Sequence, residues 1–247
     1  MKENICEEAQ KRLIFALDVP DKKKAFFWVD LLKGKIGVFK IGIELFLSTG
    51  PHIIREIKKR AGAQIFLDLK LHDIPATVLA ACRQAVFYGV DFFTVHVPPY
   101  KGLFNEFSST RTKIIGVTVL TSLETEDLLN LGIARELAIH PEKLALKRAQ
   151  LAKEAGCAGV VCSGKEVKKI KELFGEDFIT ITPGIRLKQD NVHDQKRVVT
   201  PYMAIRNGSD YIVVGRSIRH TPNPLNAVRQ ITAEIASALK EITPPRG

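Results

Sequence analysis

The 247-residue sequence has few cysteines, and none of them follows a metal-binding spacing. Its four cysteines are Cys6, Cys82, Cys157 and Cys162; they include no CxxC pair, and no histidine lies at a ligand spacing from them. This pattern excludes the common zinc-finger motifs and provides no disulfide framework. We therefore expect a protein of a reducing compartment, the cytoplasm, with no metal bound by its thiols.

Long apolar runs and an apolar leader are also missing. The first twelve residues, MKENICEEAQKR, are charged and contain no hydrophobic segment of a signal peptide. No later run approaches the ~20 apolar residues that a membrane helix needs. The sequence therefore predicts neither export nor a membrane partner.

Aromatic residues are scarce, at 7% of the chain, whereas positive charge is abundant. Lys and Arg number 37 against 27 Asp and Glu, for a net charge of +10, which raises the question of a nucleic-acid partner. The lysine clusters begin at Lys22, Lys58 and Lys168 in three separate helical segments, and no aromatic residues interleave with them to stack on bases. Solvated helix faces explain them better, so we predict no nucleic-acid partner; an acidic small substrate would also suit this charge.

Eight short apolar runs, rich in β-branched residues, alternate along the chain with segments of helical periodicity. This alternation predicts a parallel sheet covered by helices. Eight units in this length predict an α/β protein with one closed (β/α)₈ (TIM) barrel domain over residues 1–247. The runs are LIFALDV from residue 13, VFKIG from 38, QIFLDLK from 64, FFTVHV from 92, KIIGVTVL from 113, GVVC from 159, FITITPG from 178 and YIVVGR from 211.

Two features of this pattern are less regular. The fourth helix, around GLFNEFSS, is the weakest of the series, and the region 121–140 predicts an extra short helix. An open doubly wound sheet is the alternative fold, but no GxGxxG follows the first strand, so its best fingerprint is missing.

Polar residues lie where the predicted strands end. In a (β/α)₈ enzyme the carboxyl ends of the strands form the rim that carries the active site. These residues are, in chain order, Asp18, Lys40, Asp68, Lys70, His96, Thr121, Pro183, Arg186, Gly215 and Arg216. The sequence therefore predicts that they meet at one end of the barrel, with His96 in a supporting position only.

The third strand places charges where apolar residues are expected. Asp68 and Lys70 are two apart and share one face of a strand, and Lys40 and Asp18 can reach the same place from the preceding strands. Asp73 lies just beyond the strand end. A site built for Mg²⁺ would not hold two ammonium groups among its carboxylates, so no metal is predicted. The alternative is an ion-pair network that fixes the barrel without chemistry.

The seventh and eighth strands predict a phosphate site. Loops after these strands commonly hold phosphate in this barrel, and arginine forks match phosphate oxygens. The candidate residues here are Gly184, Arg186, Gln195, Gly215 and Arg216. Thr121 has two interpretations: TSLE resembles a capping box that opens a helix, and the hydroxyl could also contact a base.

At these residues the sequence resembles the orotidine 5'-phosphate decarboxylase family, of the bacterial type. FLDLKLHDIPATV, from residue 66, matches the DxKxxDIPxT signature, and ALDV, FKIG, TVLTS, TPGIR, DQKRVVTP and VVGR match further blocks in the same order over nearly the full length. The DxKxxD element is shared with sugar-phosphate decarboxylases and aldolases, which use Mg²⁺; these are the nearest alternative. The other blocks favour the orotidine 5'-phosphate enzymes.

The resemblance implies a reaction and a role for each matched residue. The reaction is decarboxylation of orotidine 5'-phosphate to UMP in pyrimidine biosynthesis, without cofactor. Lys70 would donate a proton to C6, Asp68 would face the departing carboxylate and Lys40 would link Asp68 to the ribose. The resemblance further implies a homodimer, in which Asp73 and Thr77 reach the partner's substrate. The remaining binding residues would be Asp18 for the ribose hydroxyls, Thr121 for the pyrimidine edge, Pro183 beside them, and Arg186, Gln195, Gly215 and Arg216 for the phosphate.

Overall fold

A computed structural model describes residues 2–187 and 199–242 and contains a closed barrel of eight parallel strands. Each strand pairs with the next in chain order, and β1 pairs with β8 to close the ring. The strands are β1 Leu13–Ala16, β2 Val38–Gly42, β3 Gln64–Leu71, β4 Phe92–His96, β5 Lys113–Val117, β6 Gly159–Val161, β7 Ile179–Thr182 and β8 Tyr211–Val214. All eight predicted strands and the closed (β/α)₈ barrel are confirmed.

Helices surround the barrel and connect its strands. They are α1 Lys2–Lys11, α2 Lys22–Leu32, α3 Ile43–Thr49, α4 His52–Ala61, α5 Pro75–Phe87, α6 Thr125–Asn130, α7 Arg135–Ala138, α8 Pro141–Glu154, α9 Val167–Phe174, α10 Pro201–Arg206, α11 Arg216–Arg219 and α12 Pro224–Ile242. The weak fourth helix is only a 3₁₀ turn, Asn105–Phe107, and the region 121–140 contains two short helices, α6 and α7, rather than one. None of the described helices is long and apolar enough to cross a bilayer.

Apolar spacing and capping explain the long helices. In α4, Ile53, Ile54 and Ile57 recur at helical spacing and are buried against the strands. The helix ends at Gly62, whose left-handed backbone (φ 64°) favours glycine. In α2, the carboxylate of Asp21 accepts a hydrogen bond from the backbone N–H of Lys24 at 2.8 Å and caps the first turn.

The first helix was not predicted, because its sequence is dominated by polar and charged residues. α1 packs against α12 and buries Ala9. The Gly37 N–H donates to the Gln10 carbonyl at 2.9 Å, and a Cβ on Gly37 would lie 2.4 Å from the Lys11 carbonyl oxygen. Glycine therefore permits the close approach of α1 to the start of β2.

The barrel interior is apolar below its carboxyl rim. Phe66, Phe92 and Tyr211 pack inside it with their rings edge to face, at centroid distances of 6.3 Å and 4.9 Å. Smaller aliphatic side chains such as Ile14 and Ile115 fill the remaining space. A packed interior leaves the rim as the place where charged side chains can face a substrate.

Two ion pairs, each with one buried partner, lie at the opposite, amino-terminal end of the strands. Asp91 precedes β4; its carboxylate accepts from the Ile65 N–H and pairs with Lys58, both at 2.8 Å. Asp210 precedes β8 in the same way; it accepts from the Thr180 N–H and pairs with Lys171, both at 2.7 Å. The same acid–lysine arrangement therefore occurs twice, four strands apart, and each time it connects a helix to two strands.

Candidate active site

Three charged side chains meet at the carboxyl rim, as the sequence predicted. The Lys70 ammonium lies 2.8 Å from both carboxylate oxygens of Asp68. Lys40 approaches the same carboxylate at 3.6 Å from β2. Neighbouring-strand register explains this meeting, because Asp68 lies opposite Gly42 and Lys40 lies opposite Phe66.

The electrostatics of the cluster keep Asp68 ionised. Its side chain is only 11% exposed, and burial alone would raise the pKa of the carboxyl group. The ammonium groups of Lys40 and Lys70, with hydrogen bonds from Lys70 and Thr94, outweigh burial and lower the pKa of Asp68 below its usual value. The site therefore presents a fixed carboxylate held between two cations.

The backbone at Lys70 departs from the regular strand that the sequence predicted. Lys70 has φ 50°, the only positive value among the described non-glycine residues, and the pairing of β3 with β4 shifts between Leu67 and Leu71. The Lys70 N–H donates to the Thr94 hydroxyl at 2.9 Å, and that hydroxyl donates to Asp68 Oδ1 at 3.0 Å. A bulge held by Thr94 therefore aims Lys70 at Asp68.

Asp18 extends the cluster across the closure of the barrel. It lies two residues beyond β1, and its Oδ1 is 2.9 Å from the Lys40 ammonium. On its other side, Arg219 donates to the Asp18 carbonyl at 2.6 Å and places a nitrogen 3.5 Å from Oδ2. A Cβ on Gly42 would lie 3.2 Å from Lys40 Nζ and 3.3 Å from Asp18 Oδ1, so glycine leaves room for this pair.

The predicted phosphate residues follow two adjacent strands. Pro183 and Gly184 continue from β7, and Gly184 has φ 77°, which favours glycine. Arg186 is buried and donates to the Ile185 carbonyl at 2.8 Å. After β8, Gly215 precedes α11 and the half-buried Arg216 opens it. Gln195 and the rest of its DQKR block lie outside the described residues.

Asp73 and Thr77 are not part of the cluster in this chain. Both are exposed, and the Asp73 carboxylate accepts from the Ile74 N–H at 2.7 Å. Among the described residues no ion pair links Asp73 to Lys70 or Lys40. Asp73 instead lines a cavity of about 300 Å³ together with Ile74, His96 and Tyr100.

The helix cap predicted at Thr121 is wrong. Helix α6 begins at Thr125, and its first turn is closed by Glu124, whose N–H donates to the Asp127 carboxylate at 2.8 Å. The cap forms three residues later, at Glu124, the residue that TSLE shares with the acidic pattern ETED. Thr121 is half-buried in the loop that follows β5, and the capping bonds described for α6 do not involve it; the base contact stays a prediction.

His96 lies beside the cluster at the end of β4. Its ring centroid is 5.2 Å from that of His72. Burial, and then the neighbouring charges of His72, Arg148 and Lys70, lower the pKa of His96 from its usual value. A neutral imidazole therefore borders the cation side of the site.

Two residues of the site were missed from the sequence. Thr94 lies inside the apolar run FFTVHV, where a single threonine gives no signal of its own. Arg219 follows the recognised Arg216 by three residues, a helical spacing that could have placed both on one side of α11. No group of three or more His, Cys, Asp or Glu side chains in the described part of the chain is arranged to hold a metal ion.

Comparisons with known proteins agree with this geometry. The model of the orotidine 5'-phosphate decarboxylase / HUMPS family matches residues 11–231. The chain is 45% identical to the orotidine 5'-phosphate decarboxylase of Desulfosudis oleivorans, over 92% of this chain and 94% of that protein. It is 41% identical to that of Syntrophotalea carbinolica, over 95% and 98% of the two chains. Among solved structures, the Lactobacillus acidophilus enzyme superposes with a TM-score of 0.75 at 32% identity, covering 90% of this chain and 98% of the other.

Proposed function

The chain belongs to the orotidine 5'-phosphate decarboxylase / HUMPS family, and from this membership we infer that it converts orotidine 5'-phosphate to UMP and CO₂, a step of pyrimidine biosynthesis. It is a carboxy-lyase. The observation that carries the chemistry is the Lys70 ammonium, which Asp68 holds at 2.8 Å through both oxygens. The whole chain, residues 1–247, acts as one barrel domain.

The reaction leaves an electron pair that the pyrimidine ring cannot delocalise. The bond between C6 and the carboxylate carbon breaks, CO₂ departs, and the pair stays in the ring plane at C6. A fixed ammonium is attracted more strongly to this developing charge than to the substrate, which is the condition for acceleration. Lys70 then gives one proton to C6 and recovers one from solvent.

The other cluster members orient the substrate. Asp68, held ionised by its two lysines, faces the carboxylate that leaves. Lys40 bridges Asp68 and Asp18 and so connects the reacting end with the ribose hydroxyls that Asp18 binds. Thr121 contacts the pyrimidine edge from the loop that follows β5. Pairing fixes these groups before substrate arrives, so little reorganisation accompanies the reaction.

Phosphate binds beyond the ribose, at the loops after β7 and β8. Positive charge comes from Arg186 and Arg216, and Gly215 offers an accessible backbone N–H. Pro183 shapes the turn after β7, and Gln195 is a further phosphate contact implied by the resemblance. The phosphate is remote from the bond that breaks, but its binding energy fixes the ring against Lys70.

The active site is shared between two copies of the chain. Asp73 and Thr77 are exposed beside the cavity after β3, and Ile74 and Tyr100, 66% and 52% exposed, give that region an apolar character suited to an interface. In the homodimer Asp73 and Thr77 reach the partner's substrate. The enzyme acts in the cytoplasm, where its buried thiols stay reduced; burial raises the pKa of Cys82 and Cys157 to about 12.

A metal-dependent sugar-phosphate decarboxylase or aldolase is the second candidate, because such enzymes share the DxKxxD element that Asp68, Lys70 and Asp73 form here. The distances disfavour it: the Lys70 and Lys40 ammonium groups lie 2.8 Å and 3.6 Å from Asp68, where a Mg²⁺ ion would need the carboxylate. The proposed reaction therefore needs no metal at Asp68, and the resemblance to the family implies no other cofactor.

One ultraviolet assay tests this proposal. Purified enzyme with EDTA should convert orotidine 5'-phosphate, followed by loss of the orotate absorbance. Lys70→Ala should abolish turnover and still bind UMP, because the ammonium acts on the carbanion rather than on the product. Dependence on added Mg²⁺, or near-normal turnover by Lys70→Ala, would contradict the proposed chemistry. Arg206→Gln, at an exposed position of α10, is the matched control.

A further inference from the structure

Arg219 makes a two-point contact with Asp18 across the closure of the barrel. One guanidinium nitrogen donates to the Asp18 backbone carbonyl at 2.6 Å, and the other lies 3.5 Å from Oδ2. Lys40 takes the opposite oxygen, Oδ1, at 2.9 Å. Both oxygens of one carboxylate are thus held by cations, one from β2 and one from α11 on the other side of β1, which fixes the rotation of the carboxylate.

The burial of the two partners is unequal. The Arg219 side chain is only 17% exposed, whereas that of Asp18 is 44% exposed. The Nε of Arg219 is buried and has no hydrogen-bond partner among the described residues, which is costly for a guanidinium. An arginine kept in this state, with its contacts directed at one exposed acid, is better explained by what it does to Asp18 than by stability.

Gly215 packs against the end of β1 beside this contact. A Cβ on Gly215 would lie 3.7 Å from Asp18 Oδ2 and 3.9 Å from Arg219 Nη2, and only 3.3 Å from the Ala16 Cβ. Gly215 therefore allows α11 to lie close to the end of β1. Lys70 contacts Asp68, Asp68 contacts Lys40, and Lys40 contacts Asp18. The exposed carboxylate of Asp18 ends this series of charged side chains.

We propose that Arg219 is a positioning residue that sets the orientation of Asp18 and thereby the recognition of the ribose hydroxyls. This rests on the proposed function, in which Asp18 binds the sugar. Arg219 touches no substrate atom in this role. It acts through Asp18, whereas its neighbour Arg216 acts on the phosphate.

Binding of nucleotides separates this role from a structural one. The affinities of UMP, 2'-deoxy-UMP and 3'-deoxy-UMP should be measured by calorimetry for wild type, Arg219→Gln, Arg219→Lys, Asp18→Asn and the double variant Asp18→Asn/Arg219→Gln. Arg219→Gln should weaken UMP about three- to ten-fold, the range of one hydrogen-bonded contact. The same variant should have a much smaller effect on the binding of the deoxy analogue that lacks the hydroxyl bound by Asp18. Arg219→Lys keeps the charge without the two-point contact, so its loss should be intermediate.

The double variant is the decisive comparison. If Arg219 acts through Asp18, the double variant should bind UMP no more weakly than Asp18→Asn alone. Additive losses, or equal weakening of UMP and both deoxy analogues, would overturn the proposal. If Arg219→Gln weakens the binding of UMP but not of uridine, which lacks the phosphate, Arg219 acts on the phosphate. That result would also overturn the proposal. Arg206→Gln, an exposed arginine on α10, should bind all three nucleotides like wild type.

These binding measurements, together with the decarboxylation assay, distinguish a failure of the Arg219 proposal from a failure of the proposed function. A wild-type protein that binds UMP but does not decarboxylate orotidine 5'-phosphate would contradict the reaction while the sugar discrimination still tests Arg219. Absence of UMP binding by folded wild type would overturn both.

Discussion

Lys70 adopts a backbone conformation that L-amino acids other than glycine rarely use, with φ 50°. The left-handed region costs a residue with a Cβ about 1–2 kcal/mol. The bulge bonds to Thr94 and the pairing with Asp68 hold Lys70 there in spite of this cost. The strain lies at the residue proposed to protonate the substrate, and we interpret it as stability given up for function.

Two inactive variants measure this strain. Lys70→Gly and Lys70→Ala both remove the ammonium, but only glycine accepts φ 50° freely, so Lys70→Gly should be the more stable by about 1 kcal/mol in urea unfolding. At Lys113, which has no such backbone, the order should reverse, because glycine weakens an ordinary strand. Equal stabilities of the Lys70 pair would show that its backbone is unstrained.

The lowered pKa of His96 makes stability depend on pH in a defined direction. Because the folded state binds a proton on His96 less readily than the unfolded state, the folded protein should lose stability as the pH falls below about 6.5. His96→Gln should reduce this loss between pH 8 and pH 5.5 in urea unfolding. A slope for His96→Gln identical to that of wild type would exclude His96 as its source.

At the scale of single residues, the sequence revealed the charged members of the site and not what positions them. Asp68, Lys70 and Lys40 were predictable because charges in apolar strands are conspicuous. Thr94 and Arg219 were not, because their partners are 24 to 26 and 201 residues away in the chain, and only the folded barrel brings them together. The bulge at Lys70 has the same origin, since its pairing with β4 replaces the alternation expected of a regular strand.

At the scale of elements, the paired acids below β4 and β8 support the barrel at the end opposite the site. Each accepts a backbone N–H from the strand before it and pairs with a lysine of an earlier helix. The two differ in burial: Lys171 is 5% exposed and Lys58 is 25% exposed. The cost of losing the acid should differ accordingly, because a buried unpaired charge cannot reach water.

Removing each acid tests this difference. Asp210→Asn should lower the free energy of unfolding by about 3–5 kcal/mol, the range for breaking a buried pair. Asp91→Asn should cost less, because Lys58 and the 75% exposed Arg111 can turn to solvent. Both variants should keep the wild-type KM where they are folded, since the site lies at the other rim. A greater loss for Asp91→Asn would contradict this account.

Elements were predicted from the sequence where burial imposes a pattern. The eight strands are short apolar runs, and α4, α8 and α12 show apolar stripes, so both were recognisable. The short helix α3 was missed because it extends directly from the end of β2, where the apolar pattern does not change. The cap at Glu124 was missed because two acidic patterns compete within four residues, and only the turn after β5 decides between them.

In the proposed dimer, each active site depends on residues of two chains. Lys70→Ala and Asp73→Ala should each be inactive alone. A hybrid of the two has one site with both residues intact, so random mixing should restore about one quarter of wild-type activity. Mixing Lys70→Ala with Asp68→Ala is the control and should restore none, because both residues serve the same chain's site. Absence of recovery in verified hybrids would place Asp73 in its own chain's site.

The pairing of β1 with β8 joins the two extremes of the chain, and Arg219 meets Asp18 across that junction. During translation, the first strand must therefore wait for the last to emerge from the ribosome before the ring closes. A nascent chain or fragment that stops short of Arg219 holds the lysines and acids of β2 and β3 yet lacks their final neighbour. The proposed recognition of the ribose is thus completed only after β8 and Arg219 have been synthesised.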